Sequence, residues 1–344
     1  MNIVFKNEKL TIDEIRTGKS FKNIYEDHES QVINIVKKWY SDEDYMEFVT
    51  SGSTGVSKVI RLSKSKMQYS AEVTMQHIDP MKQITRAVLC ISPAFIGGAM
   101  LVIRSLVRGI DLIVQKPNAI PSIQVRGALI SMVPLQIMRT IEANESFFDH
   151  ENTLLIGGAP LSEKHVQYLK HKKVKPYITY GMTETASHVA LRNISSSEAY
   201  QALGDTEIDT DVRDCLKLRG TLTDHEWMQT NDIVEINDKQ SFKWIGRADF
   251  VINSGGYKVN PEAVEGVLQE EIKKPILITS EVDEILGQKV ILLIESDKPF
   301  DFNHSIFNQL HTYSKPKKIE FVASFVYTST GKIDRIKTAK KYLQ

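Results

Sequence analysis

The chain has 344 residues, 42% hydrophobic and 25% charged, a balance that argues against disorder and leaves room for one large and one small domain. Lys plus Arg and Asp plus Glu both total 43, so net charge gives no reason to expect nucleic acid or an anionic membrane as partner. Two cysteines, Cys90 and Cys215, imply no disulfide framework and fit a reducing cytoplasm.

The first ten residues carry charges throughout and lack the apolar core of a signal peptide. The longest apolar stretch, residues 94–103, stops at Arg104, too short to cross a bilayer, so no stable membrane association is expected. A short strand at residues 3–5 leads to a helix over 30–40, where Val32, Ile33, Val36 and Trp39 make a core-facing stripe. A strand over 45–49 enters the hydroxyl-rich stretch 50–58, after which Ser63 caps a helix running to Ile78. The reading then alternates. Strands are expected at 86–91, 111–114, 128–133, 153–156 and 175–179, and helices at 98–107, 134–143, 162–170 and 183–190. Cys90 falls in the first of these strands as a buried residue rather than a nucleophile. Strands separated by helices indicate βαβ units and a parallel sheet. From 204 to 244 short alternating strands suggest a small β annex. Beyond it lies a compact α+β unit with a Pro-started helix at 261–268, strands near Ile276 and at 290–294, a helix at 306–313 and a terminal helix from Asp334. The fold class is therefore α/β, with a large N-terminal domain over 1–246 and a small, mobile α+β domain over 247–344.

Within the stretch 50–58, Gly52 and Gly55 allow close approach and positive φ, while Thr50, Ser51, Ser53, Thr54 and Lys58 offer hydroxyls and a cation. The spacing is not that of the ordinary nucleotide P-loop. Taken alone, this is either a different phosphate binder or a solvated Ser/Gly loop.

The segment TSGSTGVSK resembles the phosphate-binding signature of the adenylate-forming superfamily: acyl- and aryl-CoA ligases, peptide-synthetase adenylation domains and firefly luciferase. Further signatures recur in order: GGAPL from Gly157, YGMTET from Tyr180, ND at Asn231 and Asp232, GRADFVINSGGYKVNPEAVE from Gly246, and TGKIDR from Thr330. The resemblance implies ATP, Mg²⁺ and coenzyme A as cofactors, a small-molecule carboxylic acid as substrate, and an acyl-adenylate intermediate. It places the β- and γ-phosphates on the Thr50–Lys58 loop and the adenine against Gly157, Gly158, Ala159 and Pro160. Tyr180 would stack on the base, with Gly181 and Met182 continuing the pocket. It makes Glu184 the magnesium ligand, with Thr183 near the α-phosphate, and gives the ribose to Asp232 and Arg247. Lys332 becomes the mobile lysine of the first half-reaction, Asp249 the hinge, and Gly255, Gly256, Tyr257 and Lys258 the loop shaping the pantetheine tunnel. Without the resemblance, Glu184 reads as a surface acid, Asn231-Asp232 as a turn and Lys332 as a solvated lysine.

Two departures stand out. Phe250 replaces a second acid at the hinge, and little chain precedes the Thr50 loop. The compact form and YGMTETASHVAL resemble the 2-succinylbenzoate–CoA ligases of menaquinone synthesis. That substrate is a dianionic aromatic acid, and Arg104, His188 or Arg192 are candidates for its second carboxylate. A ligase for another aryl or acyl acid, a luciferase-like oxygenase and a non-catalytic nucleotide-binding relic are the alternatives, and the oligomeric state is left open.

Overall fold

The computed structural model describes residues 1–18, 25–49, 58–122, 125–328 and 332–343, which form two compact units. The first comprises Met1–Leu161, His165–Ile208 and Leu218–Met228; the second comprises Ser162–Lys164, Asp209–Lys217 and Gln229–Gln344.

The first unit is built on a parallel block. Asp111–Val114, Arg86–Leu89, Ala128–Met132, Thr153–Ile156 and Lys175–Met182 lie side by side, each neighbouring pair parallel. Ala128–Met132 and Thr153–Ile156 are buried along their whole length, the pattern of strands covered on both faces. Ile130, Ile137, Phe148, Leu154, Ile156 and Leu169 share one core cluster. Each such side chain contributes about 1.5–3 kcal/mol by leaving water.

Helix Lys64–Ile78 begins where Ser63 was expected to cap it, with the Ser63 hydroxyl accepting from Lys66 N at 3.2 Å. Helix Ile96–Arg108 closes on Gly109, whose φ of +71° suits the left-handed cap. Its first turn lies so close to Ser92 that a Cβ on Gly98 would stand 2.2 Å from the Ser92 carbonyl oxygen.

Beyond Lys175–Met182 the sheet changes direction: Ser187–Asn193 runs antiparallel to it, and Tyr200–Ala202 antiparallel to that. This overturns the helix expected at residues 183–190. His188, Val189, Ala190 and Leu191 are all buried, and such an apolar run is as well satisfied by a strand covered on both faces as by a helix. The backbone decides it, since Ser187 sits at φ +84° and cannot continue a right-handed helix.

In the second unit Ile276–Asp283 pairs antiparallel with Gly287–Glu295, and Lys318–Val322 lies parallel on the far side of the latter. Gly287–Glu295 alternates between two cores. Val290, Leu292 and Ile294 join Val264 and Leu268 of helix Pro261–Leu268, whereas Ile291 and Leu293 join Val322 and Phe325. Met228–Asp238 and Ser241–Arg247 form an antiparallel pair, as the annex pattern implied. The helix expected at 306–313 is only a 3₁₀ turn, His304–Gln309. His304 and Phe307 bring their rings to 5.6 Å, the i, i+3 eclipse of that tighter coil. Among the described residues no helix is long and apolar enough to cross a membrane.

Candidate functional site

In the first unit the candidate residues gather at the carboxyl edge of the parallel block, where open α/β sheets bind ligands. Gly157-Gly158-Ala159-Pro160 follows Thr153–Ile156 directly, beside the neighbouring strand that carries Tyr180. Gly157 N donates to Met132 O at 3.1 Å, and an added Cβ there would stand 2.2 Å from Thr179 Oγ1. Gly158 holds φ +93°. These glycines thus bring bare backbone to the edge. The half-buried Tyr180 ring meets Tyr200 edge-on, with centroids 5.9 Å apart.

Strand Lys175–Met182 turns back through the 3₁₀ turn Thr183–Thr185. Gly181 is needed because a Cβ would stand 2.0 Å from the Ser187 carbonyl oxygen of the returning strand. Thr185, fully buried, latches the turn: its hydroxyl accepts from Met182 N at 3.1 Å and reaches Ser187 O at 2.9 Å. Ser70 Oγ donates to Ala186 O at 3.1 Å from helix Lys64–Ile78. Ala186 and Ser187 hold φ of +50° and +84°, a strained backbone that these contacts over-determine. Glu184 is the middle residue of this turn. It is half-buried and makes no hydrogen bond or ion pair among the described residues. Those residues hold no cluster of three or more metal-ligating side chains. A single open carboxylate is the donor set that suits Mg²⁺, which keeps waters and takes phosphate oxygens for the rest.

Arg104 and His188 meet inside this unit. Arg104 is 1% exposed and no acidic side chain pairs with it among the described residues. Burial lowers its pKa to about 9. Its Nη2 stands 3.3 Å from both His188 Nδ1 and His188 Nε2, and its Nε has no hydrogen-bond partner among the described residues. Thr74 Oγ1 donates to Ser70 O at 2.7 Å, so it accepts from His188 Nε2 at 2.8 Å. That assigns the ring proton to Nε2, and the guanidinium lies against the ring, equidistant from its two nitrogens. Burial first, then the Arg104 charge and His77, hold the His188 pKa well below its ordinary value. Arg192 points elsewhere, its guanidinium carbon 5.8 Å from the Tyr200 ring centre.

The second unit assembles Asp232, Arg247 and Asp249. Asn231 and Asp232 lie inside strand Met228–Asp238, not in a turn, and Asp232 sits opposite Arg247 across the pair. Asp232 Oδ1 accepts from Trp244 Nε1 at 3.1 Å and lies 3.6 Å from Arg247 Nη1. Asp249, in the 3₁₀ turn Ala248–Phe250, accepts from Arg247 Nη2 and from Asn231 Nδ2, the latter at 2.9 Å. Lys332 N donates to Thr328 Oγ1 at 3.1 Å. The mass of protein around its ammonium, and then the Arg247 charge, lower the Lys332 pKa. Gly255 and Gly256, with φ of +59° and +80°, make the two-residue turn between Ile252–Ser254 and Tyr257–Val259. Exposed Tyr257 stacks on His311 at 4.2 Å.

Thr50, Ser51, Gly52, Ser53, Thr54 and Gly55 lie outside the described residues, as do Thr330 and Gly331. The flanks of the first loop are described: Tyr45–Val49 and Val59–Ser63 pair antiparallel, with exposed Lys58 just before the second. The sequence reasoning missed Thr185, Ser70, Thr74 and Trp244. Trp244 alone left a signal, since the alternation of residues 233–247 about a short turn predicts a hairpin that puts it near Asp232.

The AMP-binding enzyme family matches residues 10–213. A 2-succinylbenzoate–CoA ligase of Listeria monocytogenes serotype 4b (strain F2365) is 26% identical over 365 residues, covering 96% of this chain and 77% of its own. An acyl-CoA synthetase (AMP-forming)/AMP-acid ligase II-like protein from Dyadobacter fermentans DSM 18053 is 32% identical, with a TM-score of 0.59 over 94% of this chain and 97% of that one. The O-succinylbenzoate coenzyme A synthetase from Bacillus subtilis, solved with ATP and magnesium ion, shares the fold at a TM-score of 0.71 and 18% identity, over 85% of this chain and 69% of that one.

Proposed function

The chain belongs to the AMP-binding enzyme family and is an AMP-forming acid–thiol ligase; from that premise we propose that its acid is 2-succinylbenzoate and its acceptor coenzyme A. The observation that carries the substrate is Arg104, a buried cation without an acidic partner among the described residues. A monocarboxylic acid spends its only carboxylate on the attack at phosphorus. A dianionic acid has a second one to neutralise a desolvated guanidinium, where a charge-assisted pair is strongest.

The carboxylate attacks the α-phosphorus of ATP and pyrophosphate leaves, so negative charge accumulates at that atom. We assign the β- and γ-phosphates to the Thr50–Lys58 loop, the adenine to Gly157–Pro160 and Tyr180, and the ribose hydroxyls to Asp232. The Asp232 carboxylate is already oriented by Trp244 Nε1. Glu184 would hold magnesium, which when bound offsets charge on the phosphate oxygens. Lys332 is exposed and would offset the charge that grows at the α-phosphate; the lowering of its pKa eases the approach of its ammonium to a second cation, Arg247. Asp249 would serve as the hinge that withdraws Lys332 before the thiol attacks the acyl-adenylate.

The test is ATP–pyrophosphate exchange with a panel of carboxylic acids, followed by thioester formation on adding coenzyme A. Exchange with 2-succinylbenzoate and little with benzoate or acetate is expected. Exchange that prefers monocarboxylic acids would move the chain to another branch of ligases, and silence with every acid would defeat the reading.

A further inference from the structure

In the second unit one arginine touches three segments: helix Pro261–Leu268, strand Ile276–Asp283 and the turn Ala248–Phe250. Arg335 opens the terminal helix Arg335–Tyr342, three residues beyond Lys332. Its guanidinium grips Glu265 of helix Pro261–Leu268 with both arms, Nη1 to Oε2 and Nη2 to Oε1, each at 2.8 Å. Nη2 also donates to Ile278 O at 2.8 Å, while Ile278 N donates to Glu265 Oε1 at 2.6 Å. Both side chains are 17% exposed. The guanidinium carbon lies 5.0 Å from the Phe250 ring centre, so the turn Ala248–Phe250 touches the same group. Phe250 is the departure at the hinge; an acid there would compete with Glu265 for the fork, whereas a ring face leaves it whole.

Described residues on either side of Lys332 are pinned. Upstream, Tyr327 OH donates to Glu295 Oε2 at 2.5 Å, and Tyr327 pairs with Ile333 as an isolated bridge. Downstream, Asp334 N donates to Val326 O at 2.8 Å and the Asp334 carboxylate caps the helix at Lys337 N. Lys332 lies between these posts.

We infer that Arg335 is a positioning residue: clamped by Glu265 and seated on Phe250, it makes the Lys332 segment and the hinge turn one rigid piece, so that Lys332 is carried to one place for adenylation. The inference rests on the assignment of Lys332 to the first half-reaction. It predicts a loss confined to that half, because thioester formation does not use the lysine.

Arg335→Met, Arg335→Lys and Lys332→Ala are compared with wild type in pyrophosphate exchange, in thioester formation from supplied acyl-adenylate, and in thermal unfolding. Arg335→Met should lower exchange about 100-fold, as a misplacement of about 1 Å does, and leave thioester formation unchanged. Arg335→Lys keeps the charge without the fork and should show the same selective loss at an unchanged melting temperature. Equal loss of both half-reactions, or wild-type exchange in folded Arg335→Lys and Arg335→Met while Lys332→Ala is inactive, would overturn the positioning role alone. Wild-type exchange in Lys332→Ala would instead defeat the lysine assignment and this inference with it.

Discussion

Replacing Arg104 by Met should make the ligand-free protein more stable. A side chain 1% exposed, with a pKa brought well below the ordinary arginine value to about 9 by burial, remains protonated at pH 7 in a setting that disfavours its charge. That displacement corresponds to about 5 kcal/mol against the folded state at pH 7, of which the His188 contact and the packing of the stem recover part. Apolar replacement of buried charge at similar volume is commonly neutral or stabilising by about 1–4 kcal/mol, and Met approximates the length of the arginine stem. The sign follows from the depressed pKa of a base: the penalty is full below pH 9 and fades as pH rises from there toward the ordinary arginine value. Denaturant unfolding at pH 7 should therefore give Arg104→Met a higher midpoint at an unchanged slope. ATP should stabilise both proteins alike, whereas the further stabilisation on adding 2-succinylbenzoate should be marked in wild type and small in the variant. A variant less stable than wild type by more than about 1 kcal/mol would show that existing contacts already compensate the charge, and the argument for a second carboxylate would lose its basis.

His188, buried neutral, should make stability fall as pH drops below its ordinary 6.5, because the unfolded chain takes up a proton that the fold refuses; His188→Gln should flatten that slope in unfolding midpoints measured from pH 5 to 7. Gly157→Ala should cost about 1–3 kcal/mol by forcing its Cβ against Thr179 Oγ1, and adding Thr179→Ala should recover most of it in thermal unfolding. Gly181→Ala should not be rescued in that way, since its clash is with the backbone of Ser187 and His188. Glu184→Gln should raise the magnesium concentration for half-maximal exchange about tenfold, equivalent to about 1.4 kcal/mol, with the melting temperature held.

The sequence announced the parallel block clearly, because Thr153–Ile156 and Asp111–Val114 are short apolar runs bounded by turn residues, and their limits coincide with the observed strands. The segment after Tyr180 was not legible. What converts 187–193 into a strand is the left-handed backbone at Ala186 and Ser187, fixed by Thr185 and Ser70, and such tertiary latches leave no periodic trace. The candidate residues were legible only as an ordered set of signatures, since a lone Lys332 or Glu184 looks like any surface charge. Arg104 was named as one candidate among three. Its isolation from acids among the described residues could be seen only once helix Ile96–Arg108 was packed.

The strand carrying Tyr180 leaves the sheet's edge and comes straight back, while its parallel neighbours depart through long helical crossovers. A connection that short has no slack. Adding even one residue between Met182 and Ser187 would shift the return strand by one and send His188 to the opposite side of the sheet, away from Arg104. The crossovers can lengthen without such a penalty. Diversification of acid preference among relatives should therefore accumulate as length changes in those longer excursions, with the Tyr180 return held at constant length.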